Sequence, residues 1–268
     1  MSLPPDPVDL LPTIVAAARR AGETAMGFFN HGAQTSADVQ SKPGGSPVTE
    51  ADHAVDRMLL ADLRTLDPDA GWLSEETADT PERLGKSRVF IVDPIDGTRG
   101  FVAGDPRWAI SIALVVDGLP RLGVLHLPAL GLTFSALEGA GAWLEGGTCV
   151  RVSDACSLAG ARVAGTVPLI ERFAATGVDI EPQRKVPSLA YRIAMVARGD
   201  IEIGLASTNA HDWDIAAADL IVHEAGGFLI NEHGRRPVYN QASSKHGILA
   251  AAPERFREDI TARLPRMT

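Results

Sequence analysis

The chain has 268 residues, 45% hydrophobic and 22% charged, enough for one large domain or two smaller ones around a sizeable core. A net charge of −9 and a pI near 5.3 exclude a broad basic surface for nucleic acid or anionic membrane, but not a small anionic substrate held through cations. Cys149 and Cys156 fit neither a disulfide framework nor a zinc spacing, and the sequence has no signal-like start and no apolar run of roughly 20 residues, so a cytoplasmic protein is expected.

Apolar residues at helical spacing (Leu11, Ile14, Val15, Ala18, Ala25, Phe29) predict a first helix from Pro7 to Phe29, capped by Asp6. The Gly-, Ser- and Pro-rich stretch from Asn30 to Val48 predicts a loop. A second helix opens at Thr49, where TEAD is a capping-box pattern, with Val55, Met58, Leu59, Leu63 and Leu66 on its buried face. Val89 to Val92 reads as a buried strand. WAISIALVVDGLPRLGVLHLP predicts a hairpin turning at Asp117-Gly118, and LTFSALEGAGAWLEGG two more antiparallel strands turning at 139–141.

Beyond about residue 155 the pattern alternates. ARVAGTV, IEIGLAS, GFLI and GILAAA read as strands. PLIERFAATG, SLAYRIAMVARG, DWDIAAADLIVHEAGG and PERFREDITARL read as helices. The chain is therefore expected to divide into an α+β half, residues 1–150, and a layered α/β half, residues 151–268.

The strand at Val89 ends on Asp93-Pro94-Ile95-Asp96-Gly97-Thr98. One reading is a polar turn, because Pro94 suits a strand end and Asp-Gly is a common turn pair. The other is a ligand pair: two carboxylates this close repel unless a proton or cation lies between them, and hard oxygen donors suit Mg²⁺. A helix starting at Gly97 would also aim free N–H groups at an anion. Glu75-Glu76 reads either as a solvated turn or as a further acidic site. Asp212 and Asp214 read either as a helix cap with a dipole partner or as ligands. Asp52 reads as the third residue of its capping box.

DPIDGTRGF with WDIAAADLIVHEAGG resembles the two signatures of the inositol monophosphatase superfamily, Mg²⁺-dependent and often lithium-sensitive phosphatases. GWLSEET and KPGGSPVTEADHAVD are similar to its acidic pair and N-terminal segment, so the resemblance covers residues 42–230. It implies a mixed α/β (α+β) fold, a layered α-β-α-β-α sandwich of the fructose-1,6-bisphosphatase type. It implies that Glu75, Asp93 and the Ile95 carbonyl hold one Mg²⁺, that Asp93, Asp96 and Asp214 hold a second, and that a third, weaker ion sits near Glu75. Thr98, Asp52 and Glu75 would then orient and deprotonate the attacking water, without a covalent phosphoenzyme. Gly97 and Thr98 N–H groups would receive phosphate oxygens, and Lys42 matches a family lysine near the metals.

For substrate, the inositol-specific members carry a glutamate where this chain has Ser207. Arg192, after the turn at Ser188, and Arg99 suit a second phosphate through their guanidinium forks; the other reading of Arg192 is a surface residue on an amphipathic helix. The expected substrate is a 3'(2'),5'-bisphosphate nucleotide, then inositol 1-phosphate, then histidinol phosphate. The last would need an acidic contact, from Asp212 or Glu181. No histidine pair has metal spacing, and His211 is the one expected beside substrate. Trp213 is expected in the core, and Ala216, Ala217 and Ala218 to permit close helix packing. The rival class is a non-catalytic RNA-associated regulator, against which the complete acidic set and the −9 charge stand. A homodimer is common in such proteins.

Overall fold

The computed structural model describes residues 4–42 and 44–267. The first three residues, where no signal segment was expected, and Pro43, inside the expected loop, lie outside the described residues. Helix α1 (Pro7–Met26) starts where Asp6 accepts the Val8 N–H at 2.9 Å, and buries Leu10, Ile14, Ala17, Ala21 and Ala25 on one stripe. It stops one turn short of the expected end. The expected loop contains a short antiparallel hairpin, β1 (Val39–Ser41) and β2 (Pro47–Thr49). Helix α2 (Glu50–Leu66) opens as expected, with Thr49 and Asp52 forming a reciprocal capping box.

The first sheet follows in strict chain order: β3 (Gly71–Ser74), β4 (Arg88–Asp96), then the short helix α3 (Thr98–Val102), β5 (Ala109–Val116), β6 (Leu119–Leu127), β7 (Leu132–Leu137), β8 (Gly141–Leu144) and β9 (Thr148–Cys149). Only β3 and β4 run parallel. The β5–β6 turn has positive φ at both Asp117 (50°) and Gly118 (80°), the twist-matched hairpin turn that Asp-Gly favours. β4 is apolar on both faces because both are covered: Phe90 and Val92 pack against α1 and α2, while Val89 and Ile91 join the central core.

The second half gives β10 (Ala161–Ala164), α4 (Val167–Ala174), β11 (Ile180–Pro182), α5 (Leu189–Ala197), β12 (Ile203–Ala206), α6 (Asp212–Glu224), β13 (Gly227–Asn231), β14 (Leu249–Pro253) and α7 (Arg257–Arg263). Its sheet order is β11-β10-β12-β14-β13, with β14 antiparallel to both neighbours. Helices α5 and α6 lie between the sheets. Their Ile193, Ala217, Leu220 and Ile221 share one core with Ala113 and Leu125 of the first sheet and Leu229 and Ala251 of the second. Phe173 of α4 and Ile260 of α7 cover the outer face with Phe228 and Ile230. The layers thus run α-β-α-β-α. A side chain at Gly123 on β6 would lie 2.8 Å from the Ala217 carbonyl, so the alanine run of α6 meets a glycine at the closest approach. Among the described residues no helix is long and apolar enough to cross a membrane.

Candidate active site

Two neighbouring strands deliver the first carboxylates. β3 and β4 are parallel with Ser74 opposite Val92, so Glu75 and Asp93 leave the sheet at the same end. Glu75 N–H donates to Val92 O at 3.3 Å there. β4 keeps register with β5 until Asp93 meets Ser111, then slips so that Asp96 meets Ala109. Three steps on one strand against two on the other make a bulge, which re-aims the side chains around it. Inside the bulge the Asp93 carboxylate accepts the Ile95 N–H at 3.0 Å. Gly97 follows at φ 93°, and a Cβ there would sit 2.9 Å from Ser188 N, so the turn and the gap both require glycine. The third carboxylate comes from the other half. Asp214, in the first turn of α6, accepts the His211 N–H at 2.6 Å. Glu75, Asp93 and Asp214 each offer an oxygen, and the three lie within 4.8 Å of one another.

Carboxylates this close repel. Desolvation, then the charges of Glu75, Asp96 and Asp214, push Asp93 well above the usual carboxylate range. Desolvation and the charge of Asp96 do the same to Asp214. Burial pushes Asp52 up to about 6 although Thr49 donates to it from hydroxyl and N–H at 2.6 and 2.7 Å. Burial pushes Glu76 up to about 7. Lys42 answers part of this charge, its Nζ lying 2.7 Å from Glu75 and 2.6 Å from Glu76. Burial pulls that ammonium down, and the two carboxylates outweigh it to hold it above its ordinary value. Converging hard oxygens with unbalanced negative charge fit Mg²⁺. The cleft over them holds about 610 Å³, and Arg99, Arg107, Lys185 and Thr166 also line it.

Residues 6–267 match the model of the inositol monophosphatase family. The chain belongs to the inositol monophosphatase family. A histidinol-phosphatase of Chlorobaculum parvum is 33% identical over 227 residues, covering 82% of this chain and 85% of that protein. A 3'(2'),5'-bisphosphate nucleotidase of Aggregatibacter actinomycetemcomitans is 29% identical over 255 residues, covering 88% and 89%. The solved structure of a Thermotoga maritima IMPase superposes with a TM-score of 0.83 at 30% identity, over 97% of this chain and 98% of that one. The inositol monophosphatase family consists of Mg²⁺-dependent, lithium-sensitive phosphatases, and this member is a hydrolase of phosphate monoesters.

The structure brings some expected site residues of this family member together and sends others elsewhere. Thr98 lies at the trio's edge, its Oγ1 3.0 Å from Ile95 O and 3.4 Å from Asp52. Asp96 is not in the trio. Its carboxylate accepts from the Ser188 hydroxyl and from Leu189 and Ala190 N–H groups at 3.2 and 2.7 Å, and burial holds it at about 6 despite those donors. Ser188 is fully buried and caps α5, so the expected substrate contact is a structural one. Arg192 does line the cleft, but it is neither a surface residue nor a free fork. It is 6% exposed, and its terminal nitrogens donate to Leu205 O and Val186 O at 2.7 and 2.8 Å. His211 does not line the cleft; its ring stacks on Trp213 at 4.5 Å, and Nδ1 lies 2.9 Å from Ser244 Oγ. Asp212 does not cap its helix and is fully buried, which removes it as a contact for histidinol phosphate. Arg107, Lys185 and Thr166 were missed; they stand in no motif, and only their place in the fold identifies them.

Proposed function

We propose that the enzyme hydrolyses a small phosphate ester by attack of a metal-activated water, and that its substrate is a 3'(2'),5'-bisphosphate nucleotide. The convergence of Glu75, Asp93 and Asp214 carries the reaction. We assign these three to Mg²⁺, two or three ions per site, with Asp96 and the Ile95 carbonyl completing the ligand set. Bound there, Mg²⁺ supplies an acidified water and neutralises charge on the phosphate.

The chain does the rest. Thr98, held by Ile95 O, orients the water through its hydroxyl. Asp52, at about 6 and 3.4 Å from that hydroxyl, is basic enough near neutral pH to take a proton relayed through it. Gly97 and Thr98 line the cleft and receive phosphate oxygens on their backbone. Lys42 pairs with Glu75 at 2.7 Å and offsets part of the negative charge beside the phosphate. Residues 1–150 thus supply most ligands, and 151–268 supply Asp214 and part of the cleft wall.

The cationic lining supports a substrate with a second anionic group. All three of Arg99, Lys185 and Arg192 line the cleft, and Arg99 and Lys185 serve that role because the terminal nitrogens of Arg192 already bond two carbonyls. Histidinol phosphate is the second reading, favoured by the 33% identical relative, but its cationic end would meet these residues. Phosphate release from adenosine 3',5'-bisphosphate, inositol 1-phosphate, histidinol phosphate and fructose 1,6-bisphosphate tests the choice. A higher kcat/KM on either single-phosphate ester would defeat the nucleotide. No release from any ester, with RNA retained in a gel shift, would favour the regulator instead. The proposal keeps a homodimer and a cytoplasmic site of action, checked by light scattering and fractionation.

A further inference from the structure

We infer that Arg83 and Asn240 are positioning residues: they clamp the strap 239–246 between the segment that follows Glu75 and the helix that carries Asp214, and so set the affinity of the carboxylate trio for its ion. The inference rests on the metal reading above.

Arg83 sits in the 3₁₀ turn Pro81–Gly85 and is 3% exposed. Its Nε and one terminal nitrogen donate to Asp79 at 2.6 and 2.8 Å. The other terminal nitrogen crosses to the strap, donating to Asn240 Oδ1 at 2.8 Å and Gln241 O at 3.1 Å. Asn240 returns a bond from its amide to Arg83 O at 3.1 Å. The Asn240 backbone N–H then donates to Asp212 Oδ2 at 2.9 Å. Asp212 is the first residue of α6, two before Asp214. Its other oxygen lies 2.7 Å from His246 Nε2. The strap is fastened elsewhere too, by Tyr239 N–H to Gly118 O at 2.9 Å and Asp212 N–H to Ser244 O at 2.9 Å.

Asn240 holds φ 57°, a left-handed conformation rare outside glycine, which persists where the surroundings over-determine it. Neither Arg83 nor Asn240 lines the cleft. The physical need lies in the trio. Without an ion, Glu75 and Asp214 push away from Asp93 and from each other. They stand on segments far apart in the chain, and the clamp ties those segments through three hydrogen-bonded steps. A preorganised ligand set spends less of its binding energy on reordering; partners bonded directly to metal ligands change affinity by roughly 10–100-fold, and the clamp, one bonded step further back, is expected at the low end of that range.

Arg83→Met keeps the apolar stem and removes the crossing bonds. Asn240→Gly keeps the positive φ and removes the amide. Titrating Mn²⁺ and following the free ion by electron paramagnetic resonance, we expect each variant to weaken the tight site about tenfold. The Mg²⁺ concentration for half-maximal activity should rise by the same factor, while KM for the ester at saturating Mg²⁺ stays within about twofold. Arg162→Met is the control, because its fork binds Glu202 in the second half at 2.6 and 3.0 Å; it should lose stability and leave Mn²⁺ affinity alone. If Arg83→Met fails to fold, Asn240→Gly decides. Mn²⁺ affinity unchanged in folded Asn240→Gly, or lowered equally by Arg162→Met, would overturn the clamp while leaving the metal reading intact. Wild-type protein that takes up no Mn²⁺ would overturn both.

Discussion

The Ser188 hydroxyl donates to the Asp96 carboxylate and thereby joins the start of α5 to the end of β4. Leu189 and Ala190 add backbone donors to the same carboxylate, and Ser188 also accepts the Tyr191 N–H at 2.9 Å. Asp96 is thus the anion seated on a helix N-terminus, and the serine is both helix cap and donor. The two halves of the chain meet here beside the cleft.

Ser188→Ala therefore removes two things at once. A lost cap costs about 1 kcal/mol, and a lost bond to a buried charge about 1.5–3 kcal/mol. The terms share one hydroxyl and will not add fully, so urea unfolding should show a loss of about 2–3 kcal/mol. Asp96 also loses a donor that holds its pKa down, so that pKa should move above about 6 and carry the acid limb of the kcat/KM profile upward. A variant within about 0.5 kcal/mol of wild type would show that the contact contributes little.

Metal-free stability should fall as pH rises. Unfolded Asp and Glu titrate near 4. Folded, Asp52 and Asp96 keep their protons to about 6 and Glu76 to about 7. Asp93 and Asp214 are raised in the same direction. Between those values the folded state binds more protons than the unfolded one, so the stabilisation present below about pH 4 is lost on passing through pH 6 to 7. In EDTA the Tm should be several degrees lower at pH 8 than at pH 5.5. Added Mg²⁺ should restore it at pH 8, because the ion binds only the folded, ionised site. A flat or rising metal-free Tm across that window would remove the electrostatic account.

Arg192 and Lys185 should separate cleanly. Burial pulls the Arg192 guanidinium below its usual range, and its fork is committed to two carbonyls. Arg192→Ala leaves Leu205 O and Val186 O without these donors and opens a cavity, costing about 2–5 kcal/mol of stability. Its effect on KM should be alike for a bisphosphate and a monophosphate. Lys185→Ala lines the cleft without such duties and should raise KM about tenfold for adenosine 3',5'-bisphosphate alone. The reverse pattern in steady-state kinetics would return the second phosphate to Arg192.

What could be read in advance follows the range of the interaction. The strand end at Asp93, the Asp96-Gly97 turn and the Asp117-Gly118 hairpin are local, so residue type and order expose them, whereas the bulge between Asp93 and Asp96 depends on the register with β5 and was not read. The capping box of Thr49 and Asp52 is equally local. The hairpin of β1 and β2 escaped notice because three-residue strands are too short to show a period. Arg192 lines the cleft as expected, but its burial and its bonds to carbonyls were not legible. Arg192 interrupts the otherwise apolar face of its helix, and nothing along the chain says that the carbonyls of Val186 and Leu205 will lie within its reach. Asp212 misled because a helix-start aspartate usually caps, whereas here Asp214 takes the backbone N–H and Asp212 turns to Asn240.

Asp93→Asn tests the centre of the site. The amide oxygen can still accept the Ile95 N–H, so the bulge should survive. The residue is fully buried among Glu75, Asp96 and Asp214, so removing its charge relieves repulsion in the metal-free state. Metal-free Tm at pH 8 should therefore rise, and the Mg²⁺ effect on Tm should shrink. Turnover should fall by at least about a thousandfold, equivalent to about 4 kcal/mol of transition-state stabilisation. The two readouts move in opposite directions, which general damage to the fold cannot produce. Turnover near wild type would mean that the trio is not where the chemistry happens.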